Sequence, residues 1–249
     1  MIDLSELLKE EIYIAGPCSI EDREQLFRIA KKVKDKGIKI IRAGAYKPRT
    51  SPDTFQGIGL EGLKYLDELR EELDLAVVSE IVDPRHLEYY ENVDIIQVGT
   101  RNMMNYELLK ELGKTDKYIL LKRGMGATVE EFVKATEYIS SMGNEKIILC
   151  ERGIRTFENS TRYTLDISSI PILKERTPYK VLVDPSHATG IAKYVKSVAL
   201  AGIAAGADGL IIEVHDDPKN AWTDKEQAIL PEELEDILKK AKAIKEIIE

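Results

Sequence analysis

The segment Lys47-Pro48-Arg49-Thr50-Ser51 places two cations and two hydroxyls within five positions. It follows the apolar run Ile38–Ile41, which is typical of a buried strand. Pro48 removes backbone freedom between the two cations. A site that holds an anion at a fixed distance from a reacting atom needs such stiffening. The segment therefore indicates an anion-binding loop, and a solvated loop that aids solubility is the alternative.

More cationic side chains stand where other apolar runs end. They are Arg42, Arg101, Lys122 and Arg152, and the carboxylate Glu80 stands at the end of the third run. Each of them alone is compatible with an exposed surface. Together with the loop described above, they indicate enough local positive charge for more than one phosphate, or for a phosphate and a carboxylate.

A second set of residues has the donor types of a metal site. Cys18 and His187 follow the first and seventh apolar runs, Glu213 ends the eighth, and Asp224 lies in the loop after it. A thiolate, an imidazole and two carboxylates suit a divalent transition ion, which can act as a Lewis acid on a carbonyl. The alternatives are a buried apolar role for Cys18 and a structural role for His187. His215 is a second imidazole that could be the ligand in place of His187. It could also lie outside the site and hydrogen-bond to one of the ligands.

Eight apolar runs predict the strands that would position these side chains, at Ile12–Ala15, Ile38–Ile41, Ala76–Ser79, Asp94–Val98, Tyr118–Lys122, Lys146–Cys150, Lys180–Val183 and Gly209–Glu213. Helical patterns lie between or after them, at Asp22–Lys36, Leu60–Leu73, Thr128–Met142, Lys193–Ala205 and Glu232–Ile248. Strands this rich in Ile, Val and Leu are expected where both sheet faces are covered. The alternation predicts a single (β/α)8 TIM barrel, with its chemistry where the strands end. A doubly wound sheet is the alternative.

Two short motifs refine this interpretation. The run from Gly57 to Gly62 fits the dinucleotide-binding fingerprint, but that fingerprint requires its glycines directly after a strand. The polar stretch Tyr46–Gln56 intervenes, so we interpret the glycines as a loop that leads into a helix. The sequence Thr128-Val129-Glu130-Glu131 predicts a capping box at a helix start.

The composition excludes several classes of protein. The 249 residues are 43% hydrophobic and carry a net charge of -8, which argues against a general nucleic-acid binder. We expect no membrane span, since no run of 18 apolar residues exists, and a cytoplasmic location, since no signal pattern is seen. No disulfide is expected from the two cysteines, and Cys150 is interpreted as a core residue. The 32% of charged residues hints at a thermophilic source.

Several motifs together resemble one enzyme family. They are Ala15-Gly16-Pro17-Cys18-Ser19, Lys47-Pro48-Arg49-Thr50-Ser51, Gly99-Thr100-Arg101, Cys150-Glu151-Arg152-Gly153, Asp184-Pro185-Ser186-His187 and Trp222-Thr223-Asp224. In this order they resemble the 3-deoxy-D-arabino-heptulosonate 7-phosphate (DAHP) synthases over nearly the whole chain. The resemblance is to the short branch that is also similar to 3-deoxy-manno-octulosonate 8-phosphate synthases.

The resemblance implies a transferase that condenses phosphoenolpyruvate with erythrose 4-phosphate and releases phosphate, at the entry to aromatic amino-acid and chorismate biosynthesis (the shikimate pathway). It implies metal ligation by Cys18, His187, Glu213 and Asp224. Arg101, Lys122 and Arg152 resemble the contacts of the phosphoenolpyruvate phosphate, and Arg42 and Lys47 those of its carboxylate. Lys47 also resembles the group that delivers a proton to the aldehyde oxygen, and Glu80 lies near the water expected at C2. The erythrose 4-phosphate contacts are expected at Lys47, Pro48, Arg49, Thr50 and Ser51.

The resemblance also sets expectations for cofactor, assembly and regulation. Mn²⁺ is the expected ion, with Fe²⁺, Co²⁺ and Zn²⁺ also suited to the ligands, and no organic cofactor is needed. A homotetramer is expected. Residues 1–249 are expected to form one catalytic barrel without an appended regulatory domain, insensitive to Phe, Tyr and Trp.

Two alternatives to this activity remain. The eight-carbon sugar-acid synthases, which use arabinose 5-phosphate, carry Lys-Ala-Asn-Arg-Ser-Ser where this chain has Lys47-Pro48-Arg49-Thr50-Ser51. The shorter loop, with proline between the cations, favours the shorter aldose phosphate. A non-catalytic barrel that senses phosphorylated metabolites is the second alternative, against which Lys47, Glu80 and the four expected ligands argue.

Overall fold

The computed structural model describes residues 3–49 and 51–248, and its centre is a closed barrel of parallel strands in the order β1 to β8. The strands are β1 Ile12–Gly16, β2 Ile40–Arg42, β3 Ala76–Ile81, β4 Ile95–Val98, β5 Tyr118–Lys122, β6 Ile147–Glu151, β7 Lys180–Val183 and β8 Gly209–Glu213. The (β/α)8 barrel predicted from the sequence is confirmed. Strands β5, β7 and β8 have the predicted bounds.

Most helices surround the barrel and cover its outer face, whereas Leu4 and Leu7 of the first helix pack against the inner cluster. The helices are α1 Leu4–Leu7, α2 Arg23–Asp35, α3 Leu60–Leu73, α4 Tyr106–Gly113, α5 Val129–Ser140, α6 Ser169–Arg176, α7 Pro185–Thr189, α8 Ala192–Ala204 and α9 Pro231–Ile248. A 3₁₀ helix, Pro84–Tyr90, stands between β3 and β4. Within the described residues, no helix is both long and apolar enough to cross a membrane.

Both short motifs take the structures expected of them. The Thr128 side chain accepts a hydrogen bond from the Glu131 amide while the Glu131 carboxylate accepts one from the Thr128 amide, which forms the predicted capping box. Gly59 precedes α3 with φ of 67°, and Gly57 has φ of 95°. These glycines therefore form the entry to a helix and do not follow a strand directly.

Apolar side chains pack in two layers, one inside the barrel and one between the strands and the helices. Ile12 and Ile14 of β1 lie in the inner cluster, whereas Ala15 lies in the outer one, as the alternation of a strand requires. Cys150 is fully buried in the inner cluster, so its predicted core role is confirmed. The inner layer leaves the carboxyl ends of the strands free for polar side chains.

The barrel closes where β8 pairs with β1, from Ile12–Gly209 to Gly16–Glu213. A Cβ at Gly209 would lie 1.9 Å from the Ile12 carbonyl oxygen, so only glycine permits this close approach. The closure places the carboxyl ends of the first and last strands side by side. The expected metal ligands that follow these strands are therefore neighbours.

Candidate active site

Four side chains meet at the carboxyl end of the barrel. Cys18, His187, Glu213 and Asp224 each offer one ligand atom, and these atoms lie within 4.8 Å of one another. The Cys18 thiol donates to Asp224 Oδ2 at 2.9 Å, and His187 Nε2 lies 3.2 Å from Glu213 Oε1. Sequence analysis predicted these four residues as a ligand set. Their donor atoms converge as one small divalent ion would require, so the residues fit such an ion.

The carboxylates of this group have further partners on their outer sides. Arg42 donates to Glu213 Oε1 at 2.9 Å, and Gln227 donates to Glu213 Oε2 at 2.6 Å. Arg162 donates to Asp224 Oδ1 at 3.2 Å, which leaves Oδ2 directed at Cys18. These bonds fix the orientation of both carboxylates before any ion binds.

The protonation of the cluster follows from its burial. Burial, aided by the Glu213 charge, raises the pKa of the Cys18 thiol to about 12 despite nearby Lys47. Burial also lowers the pKa of His187, although Asp184 and Glu213 oppose it, so the ring is neutral near pH 7. Burial disfavours the Glu213 carboxylate, but His187 and Arg42 outweigh it and hold the pKa of Glu213 below its usual value. A neutral imidazole and ionised carboxylates are ready to bind a cation, and the thiol becomes a ligand by losing a proton.

A cavity of about 280 Å³ opens beside this group at the same end of the barrel. The cations that sequence analysis placed at strand ends line it together, namely Arg42, Lys47, Arg49, Arg101, Lys122 and Arg152. Pro48 and Ser51 also line the cavity, whereas the predicted contact Thr50 lies outside the described residues. An acidic protein thus concentrates positive charge around one cavity, which suits a multiply charged anion.

Arg152 is the cation best prepared for an anion. Its side chain is buried, and its guanidinium lies 4.2 Å from the centre of the Tyr163 ring. Among the described residues, none accepts a hydrogen bond from its buried Nη1. A buried donor without a partner is costly, so this nitrogen indicates an anion that completes the site.

Lys47 connects the cavity with the ligand group. Its side chain is buried, lines the cavity and donates from Nζ to Cys18 Sγ at 2.9 Å. Its ammonium group therefore stands between the anion-binding side chains and the candidate metal ligands. A proton donor at this place can reach a group held between the two.

Glu80 also lines the cavity, from β3, and is buried. Gln97 of the neighbouring strand donates to Glu80 Oε2 at 3.4 Å. A Cβ at Gly99 would lie 1.9 Å from Glu80 Oε1, so glycine at this position makes room for the carboxylate. Glu80 is thus held as an acceptor that faces the cavity.

Several lining residues were missed by sequence analysis. Arg162, Tyr163 and Met125 come from loops without a periodic pattern, and Gln97 lies inside a strand. Gln97 could have been predicted from the sequence. Side chains alternate between the two faces of a strand, and Gln97 pairs with Glu80 in the neighbouring strand, so both side chains lie on the same face.

Two polar residues near the site have structural partners. Arg123, next to Lys122, donates to Glu151 at 2.9 Å and to Asp166 at 2.8 Å, away from the cavity. His215 lies outside the ligand group, with Nε2 at 3.3 Å from Gln25 and Nδ1 accepting from the Asp217 amide.

The fold and site define a TIM-barrel protein whose anion-binding cavity adjoins a candidate metal centre. The profile of the DAHP synthetase I family matches residues 9–249. The chain belongs to this family.

Individual relatives agree with the family. A phospho-2-dehydro-3-deoxyheptonate aldolase of Thermotoga maritima is 49% identical over 220 residues, which cover 87% of this chain. This chain spans 64% of the length of that relative. A crystal structure of the DAHP synthase of Thermotoga maritima matches with a TM-score of 0.91 at 46% identity, over 95% of this chain and 70% of that one. A 2-dehydro-3-deoxyphosphooctonate aldolase of Geobacter sulfurreducens is 30% identical, over 95% of this chain and 93% of that protein.

Proposed function

We propose that this chain condenses phosphoenolpyruvate with erythrose 4-phosphate to give DAHP and inorganic phosphate, in the presence of a divalent ion. The observation that carries the proposal is the junction of two features, a strongly cationic cavity and a four-donor ligand group, bridged by Lys47. Two anionic substrates need the first feature, and an aldehyde to be activated needs the second.

The phosphate of phosphoenolpyruvate is assigned to Arg101, Lys122 and Arg152. The unpartnered Nη1 of Arg152 supports this assignment, as does the position of all three side chains on the cavity wall. Arginine forks and a lysine ammonium are the usual partners of phosphate oxygens. These cations offset the repulsion between two phosphorylated substrates, so that their reacting carbons can approach.

The carboxylate of phosphoenolpyruvate is assigned to Arg42 and Lys47, which place it beside the ligand group. Arg42 already donates to Glu213, so it would fix the substrate relative to that ligand. Lys47 would hold a proton at Nζ and deliver it to the aldehyde oxygen as C3 of the enol attacks the aldehyde carbon. Its burial keeps water from competing for that proton.

Cys18, His187, Glu213 and Asp224 would hold the divalent ion. When bound, the ion would polarise the aldehyde carbonyl as a Lewis acid. We propose Mn²⁺ as the ion, as the family resemblance leads us to expect, and the mixed thiolate, imidazole and carboxylate set also suits Fe²⁺, Co²⁺ and Zn²⁺. Reconstitution of chelated protein with Mn²⁺, Fe²⁺, Co²⁺ and Zn²⁺ separately would test the choice.

Glu80 is assigned to the water that adds to C2 of phosphoenolpyruvate. Its buried carboxylate can accept a proton from water on the cavity side, and Gln97 holds its other oxygen. Addition of water at C2 is followed by departure of phosphate with cleavage of the C–O bond, next to the cations that bind the phosphate.

The erythrose 4-phosphate end is assigned to Pro48, Arg49, Thr50 and Ser51. Arg49 and Ser51 line the cavity, where they would bind the phosphate of the second substrate. The alternative substrate is arabinose 5-phosphate, because relatives named 2-dehydro-3-deoxyphosphooctonate aldolase cover most of the chain.

We further propose a homotetramer, which sedimentation analysis would test.

Phosphate release tests the proposal. We expect phosphate release from phosphoenolpyruvate only when erythrose 4-phosphate and a divalent ion are both present, with DAHP formed in equal amount. Excess chelator should abolish turnover, and added Mn²⁺ should restore it. A protein that binds both substrates and releases no phosphate would be a sensor, and the proposal would be wrong.

A further inference from the structure

Asp184 connects the two halves of the site although it neither lines the cavity nor belongs to the four-donor ligand group. Its side chain is 1% exposed and lies between β7 and α7. Oδ1 accepts from the His187 amide at 2.9 Å, and Oδ2 lies 2.7 Å from His187 Nδ1. Oδ2 also accepts a hydrogen bond from Lys122 Nζ. One buried carboxylate therefore contacts a candidate metal ligand and a candidate phosphate-binding lysine.

The chemistry of these contacts determines where the His187 proton resides. The Lys122 ammonium and the His187 amide can only donate, and an ionised carboxylate can only accept. Nδ1 of His187 must therefore carry a proton to bond Oδ2. Nε2, which faces Glu213 at 3.2 Å, is then the nitrogen whose lone pair is free for a cation.

We propose that Asp184 is the positioning residue of this site. It holds His187 in the tautomer that ligates through Nε2, and with the same carboxylate it holds Lys122 toward the cavity. The affinity for the metal ion and the affinity for phosphate thus both depend on Asp184. The inference rests on the proposed function in that it assigns an ion to the four-donor group.

The Asp184→Asn substitution separates positioning from folding. An asparagine oxygen still accepts the His187 amide and begins α7, because Asn is as good a helix cap as Asp. Its amide nitrogen then meets the donors His187 Nδ1–H and Lys122 Nζ. Rotation of the amide only exchanges this conflict for one with the His187 amide. The conflict at His187 disappears when the ring carries its proton on Nε2 instead of Nδ1. Nε2 then has no lone pair for a metal ion.

The first test is the affinity of chelated protein for Mn²⁺ and Zn²⁺ by calorimetry. Asp184→Asn should weaken both by about 10- to 100-fold, the usual effect of losing such a partner of a metal-bound histidine. Asp22→Asn is the matched control, since Asp22 caps α2 through the Gln25 amide and is not one of the four ligand residues. This control should bind both ions as the wild-type protein does. Equal affinity of Asp184→Asn and wild type would overturn the proposal.

Lys122→Met separates the two roles of Asp184. This variant removes the lysine but leaves the bond between Asp184 and His187, so its affinity for Mn²⁺ should stay close to that of wild type. Its affinity for phosphoenolpyruvate should fall, whereas Asp184→Asn should lose affinity for both. A parallel loss of metal affinity in Lys122→Met would contradict the assignment of His187 to Asp184.

Nitrogen NMR of the imidazoles gives a readout that can overturn the proposal on the wild-type protein alone. The chain has three histidines, so the ring signals are few. Near pH 8, where an ordinary histidine is neutral, wild-type His187 should be protonated at Nδ1 with and without Zn²⁺, and Asp184→Asn should shift it toward Nε2. A wild-type ring protonated at Nε2 would overturn the proposal. Because the metal-free protein also reports the tautomer, failure here is distinguishable from a failure of the chain to bind any ion.

Discussion

Lys47 is the side chain on which the proposed chemistry most depends. It lines the cavity and lies 2.9 Å from Cys18 Sγ, so its proton is within reach of a carbonyl held beside the ligand group. Stiff flanking backbone at Pro48 keeps the ammonium at this distance. Binding and proton delivery are two roles that substitutions can separate.

Lys47→Ala should lower kcat by about 10²-fold or more, the scale of a lost general acid. Lys47→Arg should not restore it, because the guanidinium does not give up its proton and its planar fork directs its donors elsewhere. Steady-state kinetics with both substrates measures this. A change confined to KM would show that Lys47 only binds.

The Cys18 thiol predicts a pH dependence of metal binding. Its pKa of about 12 means that it is protonated throughout the neutral range and must release that proton to bind an ion. Affinity for Mn²⁺ should therefore rise by about tenfold per pH unit between about pH 7 and pH 9, the slope for one released proton. Calorimetry in buffers of different ionisation enthalpy counts the proton, and an affinity independent of pH would contradict this role of Cys18.

Gly99 predicts a defect of turnover without one of folding. An alanine Cβ would displace the end of the flexible Glu80 side chain, so the barrel should stay intact while the carboxylate moves. Because an error of about 1 Å at a reacting group costs about 10²-fold, kcat should fall on that scale. Gly126→Ala, whose Cβ would meet nothing within 4 Å, is the control. Normal kcat in Gly99→Ala would exclude Glu80 from the reaction.

At the scale of elements, the strands were predictable because both of their faces are buried. Tyr118–Lys122, Lys180–Val183 and Gly209–Glu213 were assigned to the residue. The prediction for β2 began two residues early, at Ile38. The Ile38 amide bonds the Val33 carbonyl at the end of α2, and its side chain is buried in the outer layer. The early start of the predicted strand therefore came from the burial of Ile38, which is apolar without being part of the sheet.

Short helices and long loops were not predictable in the same way. Helix α7 is a single turn begun by Asp184 and Pro185, too short for a periodic pattern. Arg162 reaches the ligand group from the loop between β6 and α6, and its contacts with Asp224 and Gln227 join residues more than 60 positions apart. Only the folded chain brings these residues together.

The closure of the barrel gives a prediction at this scale. Gly209→Ala would drive its Cβ into the Ile12 carbonyl oxygen and separate β8 from β1. We expect a loss of at least about 2 kcal/mol in the free energy of unfolding, the middle of the range for overpacking a tight core. Metal affinity should fall as well, since Cys18 comes just after β1 and Glu213 is the last residue of β8. Denaturant unfolding measures the first effect, and a wild-type midpoint would contradict the argument.

At the scale of the whole molecule, the fold gathers cationic side chains of an acidic protein at one end of the barrel. The net charge of -8 belongs to a barrel that has a strongly cationic cavity at the carboxyl ends of its strands. Sequence reasoning found this concentration because parallel strands end on one face, so residues far apart in the chain could be assigned to one site. It did not find the supporting roles of buried Asp184 and Gln227 and of exposed Arg162, because those roles depend on side-chain directions.

The choice between the two sugar phosphates tests the central claim most directly. The measurement is kcat/KM for erythrose 4-phosphate and for arabinose 5-phosphate, with phosphoenolpyruvate saturating and Mn²⁺ restored to chelated protein. We predict clear selectivity for erythrose 4-phosphate, by about 10²-fold or more, because the short loop at Pro48 and Arg49 holds the phosphate too near for a longer sugar. Equal or greater kcat/KM with arabinose 5-phosphate would contradict the account.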